Sequence, residues 1–204
     1  MTTPIIVAIC VALITSILGP IVVEYFKRLW SSSEKTKEDA MYKDIESSVL
    51  IDEQLHLLSE IIGADRIWVT QFHNGGHFYA TGASIKKFSI FFEIVSVGIA
   101  KVQQQFQNTP TSFFSRSLKK LLDDHELHVE DMNNPDICTY GLKDQAQQTG
   151  CQSLFMVALT TPGGRFHGSL GVEFVKETHT FSEEEINEIR LAGTYISGLL
   201  SANH

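Results

Sequence analysis

Two histidines four positions apart, His73 and His77, flank Asn74, Gly75 and Gly76 in the stretch RIWVTQFHNGGHFYATG, residues 66–82. Imidazole is the commonest metal ligand, and on a helix two histidines at this spacing share a face. Across a hairpin turn the spacing carries no such guarantee. No third ligand is fixed nearby in sequence, although Glu93 or Asp131 could approach, and no metal is assigned. A hairpin with a hydrated polar tip explains the same residues; a polar ligand contact at His73 is the second reading.

Other residues invite the same weighing. Glu93 is the only carboxylate of its long apolar strand, KKFSIFFEIVSVG, and lies either on a solvated face or where it receives a polar group. Phe88, Phe91 and Phe92, with Trp68 and Tyr79, could line a pocket for a flat ligand or pack a core, and core is preferred. Arg116, Lys119 and Lys120 could bind an anion, but a solvated helix face explains them. Asp131, Asn133, Asn134 and Asp136 make a polar loop that suits a pocket mouth or local turns equally well.

The three cysteines are Cys10, Cys138 and Cys151, with no CxxC spacing, which excludes a cysteine zinc site and fits free thiols in a reducing compartment. No nucleophile with an evident base stands out, so no catalytic residue is assigned. HNGGHF lacks the GxGxxG spacing and leads into a strand, so it is no phosphate-gripping loop.

The segment Thr2–Val23 carries no charged residue. At about 1.5 Å per residue it can cross a hydrocarbon core of about 30 Å. Lys27 and Arg28, with Tyr25, Phe26 and Trp30, form an aromatic-basic collar on its C-terminal side, which predicts that the C-terminal portion of the chain is cytoplasmic. A cleaved signal peptide needs a basic stretch before the apolar run and a small-residue site after it, and both are missing. The expected organisation is an anchor over 1–28, a juxtamembrane linker over 29–41 and one domain over 42–204. The chain has 204 residues, 43% of them hydrophobic, and a net charge of −8. Its densest basic spots are pairs, such as Lys86-Lys87, so a nucleic-acid partner is not expected.

Periodicity outlines the domain. Met41, Ile45, Val49, Leu55, Leu58 and Ile62 suggest one helical stripe that ends at Gly63, covering a sheet and meeting a second copy of itself. Ile67–Phe72 alternate as a strand into the hairpin signal NGG, and Gly82 breaks the hairpin before a strand with Phe88, Ile90, Phe92 and Ile94 on one face. A helix comes next with Phe113, Phe114, Leu118, Leu121 and Leu122 buried, then the strand LHVEDM and a helix ending at Gly150. A second hairpin joins Ser153–Leu159 to Phe166–Val175 through Pro162–Gly164. Ser182 with Glu185 forms a capping box that opens the last helix. This is an α+β order, an antiparallel sheet with helices packed on it.

The ends of this pattern resemble the GAF domain family. Gly150 leading into a strand, the Pro162–Gly164 turn, the step Gly168 to Gly171, and Phe181–Glu185 opening the last helix resemble the close of such a domain. EQLHLLSEIIGADRIWVTQFHNGG is similar to its opening helix and first strand, and LHVEDMNNPD to the strand and loop before the ligand lid. The resemblance covers residues 42–202 and implies a GAF/PAS-like six-stranded antiparallel sheet, helices on one side and a small-molecule pocket on the other. Joined to the N-terminal anchor, such a domain is expected to be a membrane-anchored sensory or regulatory module that binds a small ligand or a partner protein. No output module is expected after the last helix, and a homodimer through the first and last helices is. A ligand-free assembly module is the alternative, and a reductase of the free methionine sulfoxide type a weaker one. The candidate ligand contacts are His73, Phe92, Glu93, Asp131 and Cys138, with the cofactor left open. Covalent bilin is not expected, because the cysteines precede Thr139 and Gln152 where the family's bilin cysteine usually precedes histidine.

Overall fold

Local sequence rules set the element boundaries of the computed structural model, which describes residues 19–77, 81–134 and 141–202. Helix α1, Gly19–Ile62, stops where Gly63 takes the left-handed conformation (φ 70°) and returns its amide to the Ser59 carbonyl at 2.8 Å. The chain divides into two compact units, Met1–Glu46 and Ser47–His204. The described residues of the first unit are helical. Most of the anchor segment Thr2–Val23 lies outside the described residues. Among the described residues no helix is long and apolar enough to cross a membrane.

Among the described residues the second unit is built on six antiparallel strands. They are β1 Arg66–His77, β2 Ser84–Val95, β3 Thr109–Pro110, β4 Glu126–Val129, β5 Ser153–Thr160 and β6 Phe166–Phe174, in the spatial order β3-β2-β1-β6-β5-β4. Between them lie a 3-10 turn, Thr111–Phe114, and the helices α2 Ser115–Asp124 and α3 Leu142–Thr149; α4, Glu183–Ala202, closes the fold. The capping box at α4 forms as expected: Ser182 N–H donates to Glu185 Oε2 at 2.7 Å and Glu185 N–H to Ser182 Oγ at 3.2 Å.

Alternation along the strands gives the sheet two apolar faces. Ile67, Val69, Leu170 and Val172 pack under α1 and α4, against Leu55, Leu58, Ile189 and Ile196. Trp68, Ile90, Leu154 and Met156 belong to a second cluster on the opposite face, with Leu121 of α2 and Ala146 of α3.

Four details depart from the sequence expectations. The NGG stretch is not the turn: β1 runs through it to His77, which pairs with Ser84, and the register shift between Asn74 and His77 absorbs the glycines as a bulge, with Gly76 at φ 92°. The expected single face of Phe88, Ile90, Phe92 and Ile94 is split. Val69 pairs with Phe92 but Thr70 pairs with Ile90, so Phe91 is an extra, half-exposed residue. A bulge of one residue turns every later side chain over, and Phe88 and Ile90 therefore face away from Phe92 and Ile94.

On α1 the buried arc is Ile51, Leu55, Leu58 and Ile62, whereas Met41, Ile45 and Val49 are exposed. At about 100° per residue the two sets fall on different sides of the helix. On α2, Leu121 and the preceding Phe114 are buried, while Phe113 and Leu122 point outward.

Candidate functional site

The sheet face opposite α1 and α4 holds a cavity, and its floor is set by the even positions of β1. Trp68, Thr70 and Phe72 project into it, joined by Ile90 of β2, Met156 of β5 and Ser169 of β6. Ser117 and Leu118 of α2, Phe106 and Met132 from the loops, and Ala146 and Thr149 of α3 close it over. About 70 Å3 is open to the centres of water-sized molecules.

The wall is almost entirely apolar, and most of its few polar groups are already matched. Thr70 Oγ1 and Ser169 Oγ bond each other at 2.6 Å. Thr149 donates back into its own helix, to the Gln145 carbonyl at 3.0 Å. The Ser117 hydroxyl is buried and has no partner. A buried orphan hydroxyl carries an uncompensated desolvation cost of about 1–3 kcal/mol.

At one end of the cavity the floor becomes charged. Trp68 lies opposite Gly171 in the β1–β6 ladder, and a Cβ on Gly171 would fall 2.3 Å from its ring. The glycine lets the indole lie flat, and Trp68 Nε1 donates to Glu173 Oε1 at 2.7 Å. Glu173 Oε2 receives Arg66 at 2.5 Å. Arg66 is 1% exposed; its Nε stands 3.6 Å from Glu93 without a hydrogen-bond partner, and its Nη2 reaches the carbonyls of Ala100 at 3.0 Å and Thr149 at 3.3 Å. Glu93 accepts the backbone amides of Val102 at 2.8 Å and Gln103 at 3.0 Å. Two carboxylates thus share one guanidinium, and backbone and indole N–H groups supply the rest of the compensation.

Cys151 borders this end, buried, with its thiol donating weakly to the Ser153 carbonyl at 3.4 Å. Burial, reinforced by the nearby Glu173 charge, pushes that thiol far above the ordinary cysteine range, so it is held as the neutral S–H.

The residues singled out from sequence sit elsewhere. His73 Nε2 pairs with Ser89 Oγ at 2.9 Å, on the β1–β2 ladder. Phe92 packs against the core beneath the helices. Asp131 Oδ1 accepts the Asn133 amide at 2.8 Å and so shapes its own turn. Glu93 receives polar groups, but they belong to the loop at 100–103. None of these four forms part of the cavity wall; Cys138 lies outside the described residues. Sequence reasoning misses Glu173 although it carries the signal that marks Glu93, a carboxylate between apolar strand residues in LGVEFV. Ser117 gives no such signal, because a serine on a short amphipathic helix is ordinary.

No family model and no curated protein matches this sequence. Solved structures do. The blue-light-absorbing form of the PixJ GAF domain from Thermosynechococcus elongatus aligns with a TM-score of 0.62 at 14% identity, over 78% of this chain and 88% of that one. The fold is that of a GAF domain. The GAF domain/HD domain protein from Geobacter sulfurreducens gives a TM-score of 0.53 at 16% identity, covering 74% of this chain and 92% of its own. A phycocyanobilin-bound GAF domain from a cyanobacterial phytochrome gives 0.56 at 14%, covering 72% and 79%. At these identities the likeness is one of fold, and what this GAF fold does rests on its own cavity.

Proposed function

We propose that this chain is a sensory or regulatory GAF module that binds a small molecule between the sheet and helices α2 and α3. The observation that carries the reading is the apolar cavity with a partnerless hydroxyl in its wall. The partnerless hydroxyl costs stability, and a ligand that bonds it removes that cost. The ligand acts by preferring one packing of the helices over another. Trp68 faces the cavity and its neighbour Ile67 packs under the helices. A shift of the indole is therefore passed along β1 to α1 and α4, where a partner protein reads it.

A covalently attached bilin is not the ligand proposed, since Cys151, which lines the cavity, is buried and precedes Gln152 where the family's bilin cysteine usually precedes histidine. A thiol-dependent reductase is not proposed either, because the Cys151 thiol is buried and neutral. The chain is read as a non-enzyme. Membrane tethering through Thr2–Val23, with the domain cytoplasmic, is part of the proposal and rests on the uncharged segment and its aromatic-basic collar. Homodimerisation through the first and last helices is supported by Leu57 and Ile61 of α1 and Leu191 and Tyr195 of α4, all large, apolar and exposed. Ligand-free assembly would need the same exposed residues, but it leaves the cavity unexplained.

The test is a thermal-shift screen of the full chain in detergent against small molecules grouped by size and charge. A ligand at 100 times its Kd adds about 2.7 kcal/mol, or several degrees in Tm. Ala146→Leu, which fills the cavity, should abolish the shift. Equal shifts in parent and variant would overturn the assignment of the site.

A further inference from the structure

We infer that the ligand is uncharged, no larger than one aromatic ring, and carries a single hydrogen-bonding group that docks on the Ser117 hydroxyl; this rests on the cavity being the ligand site. Three observations carry it. The first is size: the space is about 70 Å3, about half the roughly 150 Å3 of an apolar cavity that admits benzene. One ring therefore enters only as the neighbouring side chains move aside, and a larger body needs more movement still.

The second is charge. Among the described residues no lysine or arginine lines the cavity, and the one charged side chain on its wall is Glu173. Arg66 lies behind it with its charge engaged by Glu173 and Glu93. An anionic ligand would meet like charge at that end and apolar surface elsewhere, with nothing to replace its lost hydration. A cationic ligand would compete with Arg66 and the Trp68 indole for a carboxylate whose two oxygens are already bonded.

The third is the pattern of polar satisfaction. Thr70, Ser169, Thr149, Glu173 and the amide nitrogen of Gln145 have partners within the protein, and the Ser117 oxygen has none. A hydroxyl can both donate and accept, so one polar atom on the ligand satisfies Ser117. Aromatic faces at Trp68, Phe72 and Phe106 suit a flat apolar body.

Calorimetry or ligand-observed NMR on the full chain in detergent tests this with three probes of one ring size: phenol, toluene and benzoate. Phenol should bind more tightly than toluene, and benzoate should not bind measurably. Ser117→Ala should weaken phenol by about 3- to 10-fold and leave toluene within 2-fold. Ala146→Leu should abolish phenol and toluene binding together. Benzoate binding as tightly as phenol, or phenol binding unchanged in Ser117→Ala, would overturn the ligand class while leaving the cavity as a site. Failure of all three probes to bind the parent would overturn the inference. If Ala146→Leu does not fold, Leu118→Phe serves the same purpose from α2.

Discussion

Arg66 and Glu173 are opposite one another in the β1–β6 ladder, and their side chains close an ion pair at 2.5 Å at the charged end of the cavity floor. The pair joins separate parts of the fold. Glu173 also holds the Trp68 indole, while Arg66 reaches Glu93 and the last carbonyl of α3, at Thr149. The residue before Arg66, Asp65, fastens the exit of α1 to the end of β6 through the amides of Val175 at 2.9 Å and Lys176 at 3.0 Å. Adjacent positions thus anchor the cavity side and the helix side of the sheet.

Removing the guanidinium leaves two buried carboxylates without their counter-charge. Arg66→Met should destabilise the fold by about 3–5 kcal/mol. Adding Glu93→Gln and Glu173→Gln should recover part of that loss. Denaturant unfolding of the three forms checks this, and a single mutant as stable as the parent would show that the amide and indole donors suffice alone.

Gly171→Ala places a methyl where the Trp68 ring now lies. The ring must leave Glu173, at a cost of about 1–3 kcal/mol. The change should appear both as lost stability and as an altered environment of the Trp68 indole, read by the shift of its N–H resonance. An unmoved resonance would contradict the packing described.

Ser117→Ala should run against the usual trend. In the ligand-free protein it removes a buried hydroxyl without a partner, so stability should stay level or rise by up to about 1 kcal/mol. A loss of about 1 kcal/mol or more in thermal unfolding would mean that the hydroxyl is bonded after all.

Asp65 links stability to pH. Burial alone would raise its carboxyl, but hydrogen bonds from the Lys176 side chain and amide, the Val175 amide and Ser96 outweigh it and hold it at about 2. A depressed carboxyl contributes stability that is complete above its unfolded value, near 3.8, and is lost as pH falls through about 2. Asp65→Asn should therefore cost about 2 kcal/mol at neutral pH, and the gap from the parent should narrow between pH 4 and pH 2. A gap independent of pH would assign the effect to shape rather than charge.

Much of the fold is legible in the sequence because it depends on local rules. Gly63, Gly150 and the Ser182–Glu185 box end or start helices by chemistry confined to a few residues, and they sit where expected. The faces of β2 are not legible, since the bulge at Phe91 exists only in its pairing with β1 and shifts the alternation by one. The site suffers from the same limit. Glu93 is recognisable as a carboxylate placed to receive polar groups, but which groups depends on a loop that folds back from residues 100–103. Ser117 becomes significant only when α2 is laid over the sheet and its hydroxyl finds no partner.

Native mass spectrometry tests the central claim most directly. The full chain in detergent would be measured as purified and after incubation with the small-molecule fraction of a cell extract, each beside a denatured sample. The account predicts a reproducible added mass, small and lost on denaturation, that Ala146→Leu does not retain. A protein that stays bare under both conditions, and dimeric, would contradict a ligand site and leave assembly as the use of this fold.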